Sequence, residues 1–572
     1  MPGGLLSLVC YGNENVILNG NPQITWFYKS FMRHTHFSQE PVQVPLDGPG
    51  LLQMDSPILL KAKIPRQGDL LSDLVLRVTL PDIFSKIYFE AEPDASGNPI
   101  VSRMYEFQWV RQIGVRMIDQ VTLTIGGTQV QQFNGDWIAT RALLDFNNAQ
   151  YSKWRYMVGD VPECFDPASG VYADTSSGAA LYPNVMGWRG TTSPPNPNPT
   201  QNNAPSIPGR ILRIPLGLWF SDYIANSLPL VGLQYHDVEI QIVMRPIRDL
   251  YTVLDPSGNR VRPGFKQLPY ELPYSRDMYY QMWNQTLYGD LPANSLVNLY
   301  QADTDPLENM RNFLTDISGA VPVNDGWPLN ATLEATYTFV REQEQLVFSQ
   351  KTLRYNVRQM TNFAFYGINT RATYRLDVHN VSTRIVFFLR RSDAIPYRNA
   401  WTNLTNWKFP LVNERPYAVP LNGMPSTVII NGVPVTIGRS GLNLPGFQRT
   451  IMRDMFITAN GQPLFNSQDS GYFSQYVPYR YHVGDGAPYS DYGLATQSEM
   501  WPVYAYSFAL EASSIEQPKG TLNISRIDRL ELDVDVEPIP VGANYTYELQ
   551  TFVETINFLE ITSGMGGLKF AK

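Results

Sequence analysis

The chain carries one strand pattern twice, several hundred residues apart, and no other feature limits its fold as strongly. In the first half Leu216-Gly217-Leu218-Trp219-Phe220 reads as a strand-like run. It leads through Leu228-Pro229-Leu230 to the alternating Val238-Glu239-Ile240-Gln241-Ile242. In the second half Tyr506-Ser507-Phe508-Ala509-Leu510 leads to Leu530-Glu531-Leu532-Asp533-Val534. Leu218 to Ile240 and Phe508 to Leu530 are both steps of 22 residues. Upstream, each half has a glycine turn between strand-like flanks, Thr124-Ile125-Gly126-Gly127-Thr128 and Thr458-Ala459-Asn460-Gly461-Gln462. Solenoids repeat every few tens of residues, so self-similarity at this distance points to duplication of one large β domain.

Length agrees, since 572 residues are enough for about two to four domains. The chain is 43% hydrophobic and 17% charged, with 33 Tyr, 27 Phe and 44 Pro, a composition that favours strands joined by punctuated loops. The net charge is −8 and no Lys/Arg run forms a basic stripe, which argues against avid binding to a phosphate backbone. Cys10 and Cys164 cannot supply a disulfide framework for a chain this size, so folding in a reducing compartment is expected. The apolar N-terminus lacks a basic segment and is interrupted at Asn13 and Glu14, unlike a signal peptide. No stretch reaches the roughly 18 to 20 continuous apolar residues that span a bilayer, and a soluble chain is expected.

Leu74, Leu76, Val78 and Leu80 share one face of a half-buried strand, with Arg77 and Thr79 on the other. Val121, Leu123 and Ile125 alternate with threonines, and Gly126-Gly127 provides the positive φ of a two-residue hairpin. Asp136 is placed as the N-cap of a short helix. Residues 166–210 and 247–329 read as long insertions, and residues 341–350 as the domain junction. Leu353, Tyr355 and Val357 open the second half, and Ile385-Val386-Phe387-Phe388-Leu389 is the counterpart of residues 74–80. A third long loop spans 391–448, and within it Val428 to Val435 reads as a hairpin with an Asn431-Gly432 turn, Pro434 confining it to an edge. Short strands, tight turns and little helical periodicity mean sandwiches or jelly rolls.

Catalytic signatures are missing: there is no phosphate-binding loop, no zinc-hydrolase helix and no serine-hydrolase elbow. His34 and His36 offer two imidazoles on one strand face, a weak metal signal without nearby acidic or thiol ligands. His236 reads as a packed or hydrogen-bonded histidine. Glycoside hydrolysis needs a carboxylate pair, and no particular pair stands out. Ser563-Gly564-Met565-Gly566-Gly567 is expected to be a flexible tail. Sequons occur at Asn284, Asn330, Asn380, Asn403, Asn523 and Asn544, of which Asn284 and Asn403 are the candidate glycan positions.

From end to end the chain resembles the major capsid proteins of nucleocytoplasmic large DNA viruses. The matching motifs are Gly3 to Gly12, Leu18 to Phe27, Arg33 to Phe37, Gly68 to Leu74, Val121 to Gly127, Leu228 to Val238, Asp469 to Phe473, Tyr506 to Leu510, Asn523 to Asp528 and Ser563 to Leu568, in family order. The resemblance implies two tandem eight-stranded jelly rolls: an arm over 1–25, a first roll over 26–345 and a second over 346–572. It implies a structural protein with no catalytic residue, cofactor or metal. The chain would form a homotrimer, a pseudo-hexagonal capsomer that tiles an icosahedral virion shell assembled in the host cytoplasm. Its expected partners are neighbouring capsomers, minor capsid and penton proteins and, through the arm, the inner viral membrane, with no direct contact to nucleic acid. The rival reading, a carbohydrate-binding β-sandwich or glycosidase, would need an aromatic-lined cleft with convergent carboxylates and an export signal.

Overall fold

In a computed structural model the described residues are 3–29, 31–85, 87–93, 99–104, 106–167, 170–171, 182–183, 204–254, 260–263, 309–314, 326–407, 427–430, 433–436, 448–484, 503–514, 516–539 and 545–570. Most of the three long insertions read from the sequence lies outside them, as does Asn284.

Sixteen strands carry the architecture. The first eight are β1 (Phe37–Pro45), β2 (Ile58–Lys63), β3 (Leu70–Leu80), β4 (Ile118–Ile125), β5 (Thr128–Phe133), β6 (Arg210–Pro215), β7 (Val238–Met244) and β8 (Thr332–Val340). The second eight are β9 (Leu353–Ile368), β10 (Ala372–Leu376), β11 (Val381–Arg391), β12 (Met452–Ala459), β13 (Gln462–Pro463), β14 (Tyr504–Ser507), β15 (Leu530–Val536) and β16 (Tyr547–Thr562). They pair antiparallel in the orders β1-β8-β3-β6 and β2-β7-β4-β5, then β9-β16-β11-β14 and β10-β15-β12-β13. Adding eight to each label of the first pair of sheets generates the second, so the repeat seen in sequence is a repeat of topology. Two facing antiparallel sheets in this order make a jelly roll, and there are two of them.

Local chemistry explains the pairing. In β7, Val238, Ile240, Ile242 and Met244 are buried while Glu239 is exposed and Gln241 half-buried, and the register sets Ile240 opposite Leu123 and Ile242 opposite Val121. Slipping that register by one residue would turn the whole apolar set toward solvent. The β4–β5 and β12–β13 hairpins turn at Gly126-Gly127 and Asn460-Gly461, all four residues at positive φ. Such turns match the right-handed strand twist, and glycine or asparagine adopts them at little cost.

Three sequence expectations are corrected. Leu216 to Phe220 are almost wholly buried but not a strand: β6 ends at Pro215, and Gly217 at φ +67° breaks the extended backbone. Asn134, not Asp136, caps the helix Gly135–Asp145, its side chain accepting from the Trp137 N–H at 2.8 Å. Asp136 sits one residue inside, paired with Arg116. The glycines after Thr562 are no loose tail, because Met565–Leu568 folds back and pairs with β16 through Leu559 and Ile561. The Thr427–Ile430 and Val433–Thr436 segments pair as a two-stranded hairpin whose turn residues lie outside the described set.

The second roll shows why residues 385–389 form a continuous apolar run where residues 74–80 alternate. Ile385, Phe387 and Leu389 point into the core of their own roll, with Met455, Ile457, Leu532 and Val534. Val386 and Phe388 point the other way, into a cluster that contains the first roll's core. A sheet covered on both faces reads as an unbroken hydrophobic run.

Candidate functional site

Numbered in chain order, the helices that matter are α1 (Gly3–Val9), α2 (Asn13–Asn19), α3 (Gly135–Asp145), α4 (Asn148–Met157) and α5 (Glu342–Gln350). Two places have the makings of a working surface: the seam between the rolls, which α3 enters, and the arm built from α1 and α2.

At the seam Phe552 of β16 packs on Trp137 of α3 at 5.4 Å between ring centroids and on Phe388 at 5.9 Å. Trp219 and Tyr355 meet across it at 5.5 Å. Burying a large side chain in this way stabilises by about 1.5 to 3 kcal/mol. Inside the apolar seam sits a balanced charge network. Arg384, with its side chain 0% exposed, reaches across with both guanidinium arms, to Asp145 at 2.6 and 2.8 Å, and one of them also meets Glu554 at 3.0 Å. Arg358 lies 3.5 Å from Glu554, and Arg141 joins Asp145 to Asp222. Ser513 donates to Asp145 at 2.8 Å and Thr383 to Glu554 at 2.9 Å. Burial alone would raise the Asp145 carboxyl, but the adjoining guanidinium groups of Arg384, Arg141 and Arg358 hold it far below the usual carboxylate range.

Further bonds close the seam. Gln359 donates to the Val130 carbonyl at 2.8 Å, Asn399 to those of Arg248 and Tyr251, and Trp401 Nε1 to that of Asp249 at 2.9 Å. Arg245 of the first roll stacks on Trp401 of the second at 4.2 Å. The network links the two rolls through buried charges, so removing one partner would leave another buried and uncompensated.

The arm, which in the structure runs on through residues 26–36 to β1, is the opposite environment. Among the described residues from 3 to 36, all are exposed except Asn15, which is intermediate. Trp26 is 88% and Phe27 99% exposed, with Leu8, Ile17, Leu18, Phe31 and Met32 also bare. Helices α1 and α2 are seven residues each and bury nothing. Isolated helices that short are marginal in water. The arm joins the body where Thr35 donates to Glu344 of α5 at 3.3 Å and Phe37 pairs with Val340.

The singled-out residues fall as follows. His34 and His36 lie on the arm, His34 against Phe37 at 6.1 Å, and the described residues contain no cluster of three or more His, Cys, Asp or Glu fit to hold a metal. His236 is structural: its Nδ1 meets the Gly566 backbone and ties the first roll to the C-terminal hairpin. Cys10 is exposed, while burial pushes the Cys164 thiol up to about 12. Asn403 is 7% exposed and its side-chain oxygen accepts from the Thr405 N–H and hydroxyl, so a sugar there would have to displace those contacts. Sequence reasoning passed over Arg384 and Glu554, although each is a charge set inside an apolar strand run, and that was the available signal. No described helix is long and apolar enough to cross a membrane.

Comparison with known proteins places this geometry among relatives. Residues 25–265 match the model described as major capsid protein N-terminus, and residues 344–567 that of large eukaryotic DNA virus major capsid protein. The major capsid protein of Phaeocystis pouchetii virus is 25% identical with both chains covered in full, and that of Paramecium bursaria Chlorella virus 1 is 22% identical, again over the whole of both. Among solved structures, a chain of the PBCV-1 virus capsid superposes with a TM-score of 0.58 at 18% identity, covering 96% of this chain and all of that one. The Faustovirus major capsid protein superposes with a TM-score of 0.57 at 12% identity, covering 96% and 94%.

Proposed function

This chain belongs to the family of major capsid proteins of large eukaryotic DNA viruses, a structural and not an enzymatic family, and from that premise we propose that three copies form a pseudo-hexagonal capsomer that tiles an icosahedral shell. The observation that carries this reading is the doubled strand order. Two equivalent rolls per chain give six similar blocks in a trimer, so a threefold object acquires a nearly sixfold outline. The buried charge network supports it further, because tiling requires the two blocks of each chain to keep one mutual orientation. A permanent trimer contact would bury on the order of 2,000 to 5,000 Å². Contacts between capsomers would be smaller and reversible, so that misplaced units can leave.

The exposed arm is the proposed attachment to what lies beneath the shell, minor capsid and penton proteins or the inner viral membrane, with assembly in the host cytoplasm. Electron microscopy of the purified protein is expected to show threefold particles of hexagonal outline, with native mass three times the 64.8 kDa of the chain. A stable monomer at micromolar concentration would sink the proposal. Deleting residues 1–25 is expected to leave that mass unchanged while reducing shell assembly severalfold. Loss of the trimer on gel filtration would assign the arm to the intersubunit contact instead.

A further inference from the structure

One flank of the charge network opens into a cavity of about 190 Å³ between α3, α4 and the turn after β6. Trp137, Phe146 and Trp154 wall it, and Asp73, Ser221, Asp222 and Arg141 form its polar end. Asp222 has a side chain only 7% exposed. One of its carboxylate oxygens accepts from Arg141, and the other has no hydrogen-bond partner among the described residues. A buried carboxylate oxygen left in that state calls for an occupant. Arg141 is shared, because it also bonds Asp145 at 3.2 Å and the Gly217 carbonyl at 2.9 Å. The three guanidinium groups of the network are matched by Asp145, Asp222 and Glu554, so the Asp73 carboxyl is the one on the cavity wall without an ion-pair partner among the described residues.

This environment selects its ligand. An anion would be repelled, a neutral apolar group would leave Asp222 unpaired, and two carboxylates with no third acidic, thiol or imidazole ligand among the described residues are too few to hold a metal ion. An organic cation satisfies both ends, its charge against the carboxylates and its stem or head against the indole faces. The volume lies below the roughly 300 Å³ at which ordinary ligand pockets begin, which suits a group of only a few atoms. We propose that the cavity bounded by Asp73, Asp222, Trp137 and Trp154 binds a primary ammonium on a short aliphatic stem. That chemistry has two sources, a free alkylamine or a lysine side chain of a second copy of the chain. The proposal does not rest on the capsomer reading.

Calorimetric titration of the full chain with n-butylammonium chloride, and separately with butan-1-ol, tests it. Butylammonium is expected to bind with a Kd on the order of 1 mM, as a five-heavy-atom ligand allows, and the alcohol at least tenfold more weakly. Asp222→Asn and, should that variant fold poorly, Asp73→Asn are each expected to weaken butylammonium binding tenfold or more. Titrating dissociated and assembled protein separates the sources: a free amine binds both forms, whereas an occupying lysine leaves only the dissociated form able to bind. Equal binding of the alcohol, unchanged binding in the well-folded variants, or no binding to either form would overturn the proposal.

Discussion

Arg384→Ala is expected to destabilise the protein by roughly 3 to 5 kcal/mol, because it strands two buried carboxylates that now share one guanidinium. Asp145 and Glu554 have side chains 6% and 2% exposed, so water cannot replace the lost partner. Arg358 at 3.5 Å and Arg141 at 3.2 Å remain nearby, but the network changes from three cations and three anions to two and three. Restoring the balance with Glu554→Gln in the same chain should recover part of the loss, so the double variant departs from additivity by about 1 kcal/mol or more. Urea unfolding followed by tryptophan fluorescence measures both. The arginine crosses the seam, so its removal should also separate the transitions of the two rolls. As a control, Arg371→Ala removes a guanidinium that is itself 46% exposed from Asp454 and Asp533, 34% and 15% exposed, and should cost less than half as much as Arg384→Ala. A single transition in Arg384→Ala shifted by under about 1 kcal/mol would mean that apolar packing alone holds the rolls together.

Much of the scaffold was legible because it rests on local rules. Alternation in Val238 to Ile242 and in Leu530 to Val534 announced half-buried strands, and the two hairpin turns were written in glycine and asparagine, the residues that tolerate positive φ. The misreadings arose where tertiary partners override local pattern. Leu216 to Phe220 is apolar because it is buried, and burial does not distinguish a strand from a packed turn. The Arg141 guanidinium that anchors the Gly217 carbonyl comes from a helix 76 residues earlier in sequence. The hairpin at Ser563 to Leu568 depends on backbone pairing that glycines permit but do not advertise. The seam was hidden for the same reason: Asp145 and Arg384 stand 239 positions apart, and only the fold of both rolls makes them neighbours.

Acidification should weaken the same seam before it reaches the carboxylates. His482 is half-buried beside the network, Arg384 being the leading unfavourable charge and Asp145 and Glu554 the compensating ones. Burial first, then Arg384, brings its pKa from 6.5 down to about 4. Its Nδ1 lies 3.4 Å from the Val477 carbonyl, and its Nε2 has no partner among the described residues, so the neutral ring is the form the fold accepts. The unfolded chain therefore binds this proton more readily than the folded one. The stabilisation is complete above pH 6.5 and declines as pH falls toward 4, by about 1.4 kcal/mol per unit and about 3 kcal/mol in all. Asp145, held far below its ordinary value, adds its own loss only at lower pH, as the unfolded carboxyl begins to protonate below about 5. Urea midpoints measured from pH 7.5 to 4 should fall more steeply for the native chain than for His482→Gln, which cannot take up the proton. Matching slopes in the two proteins would show that the ring titrates alike in folded and unfolded chains and that the seam is not the acid-sensitive joint.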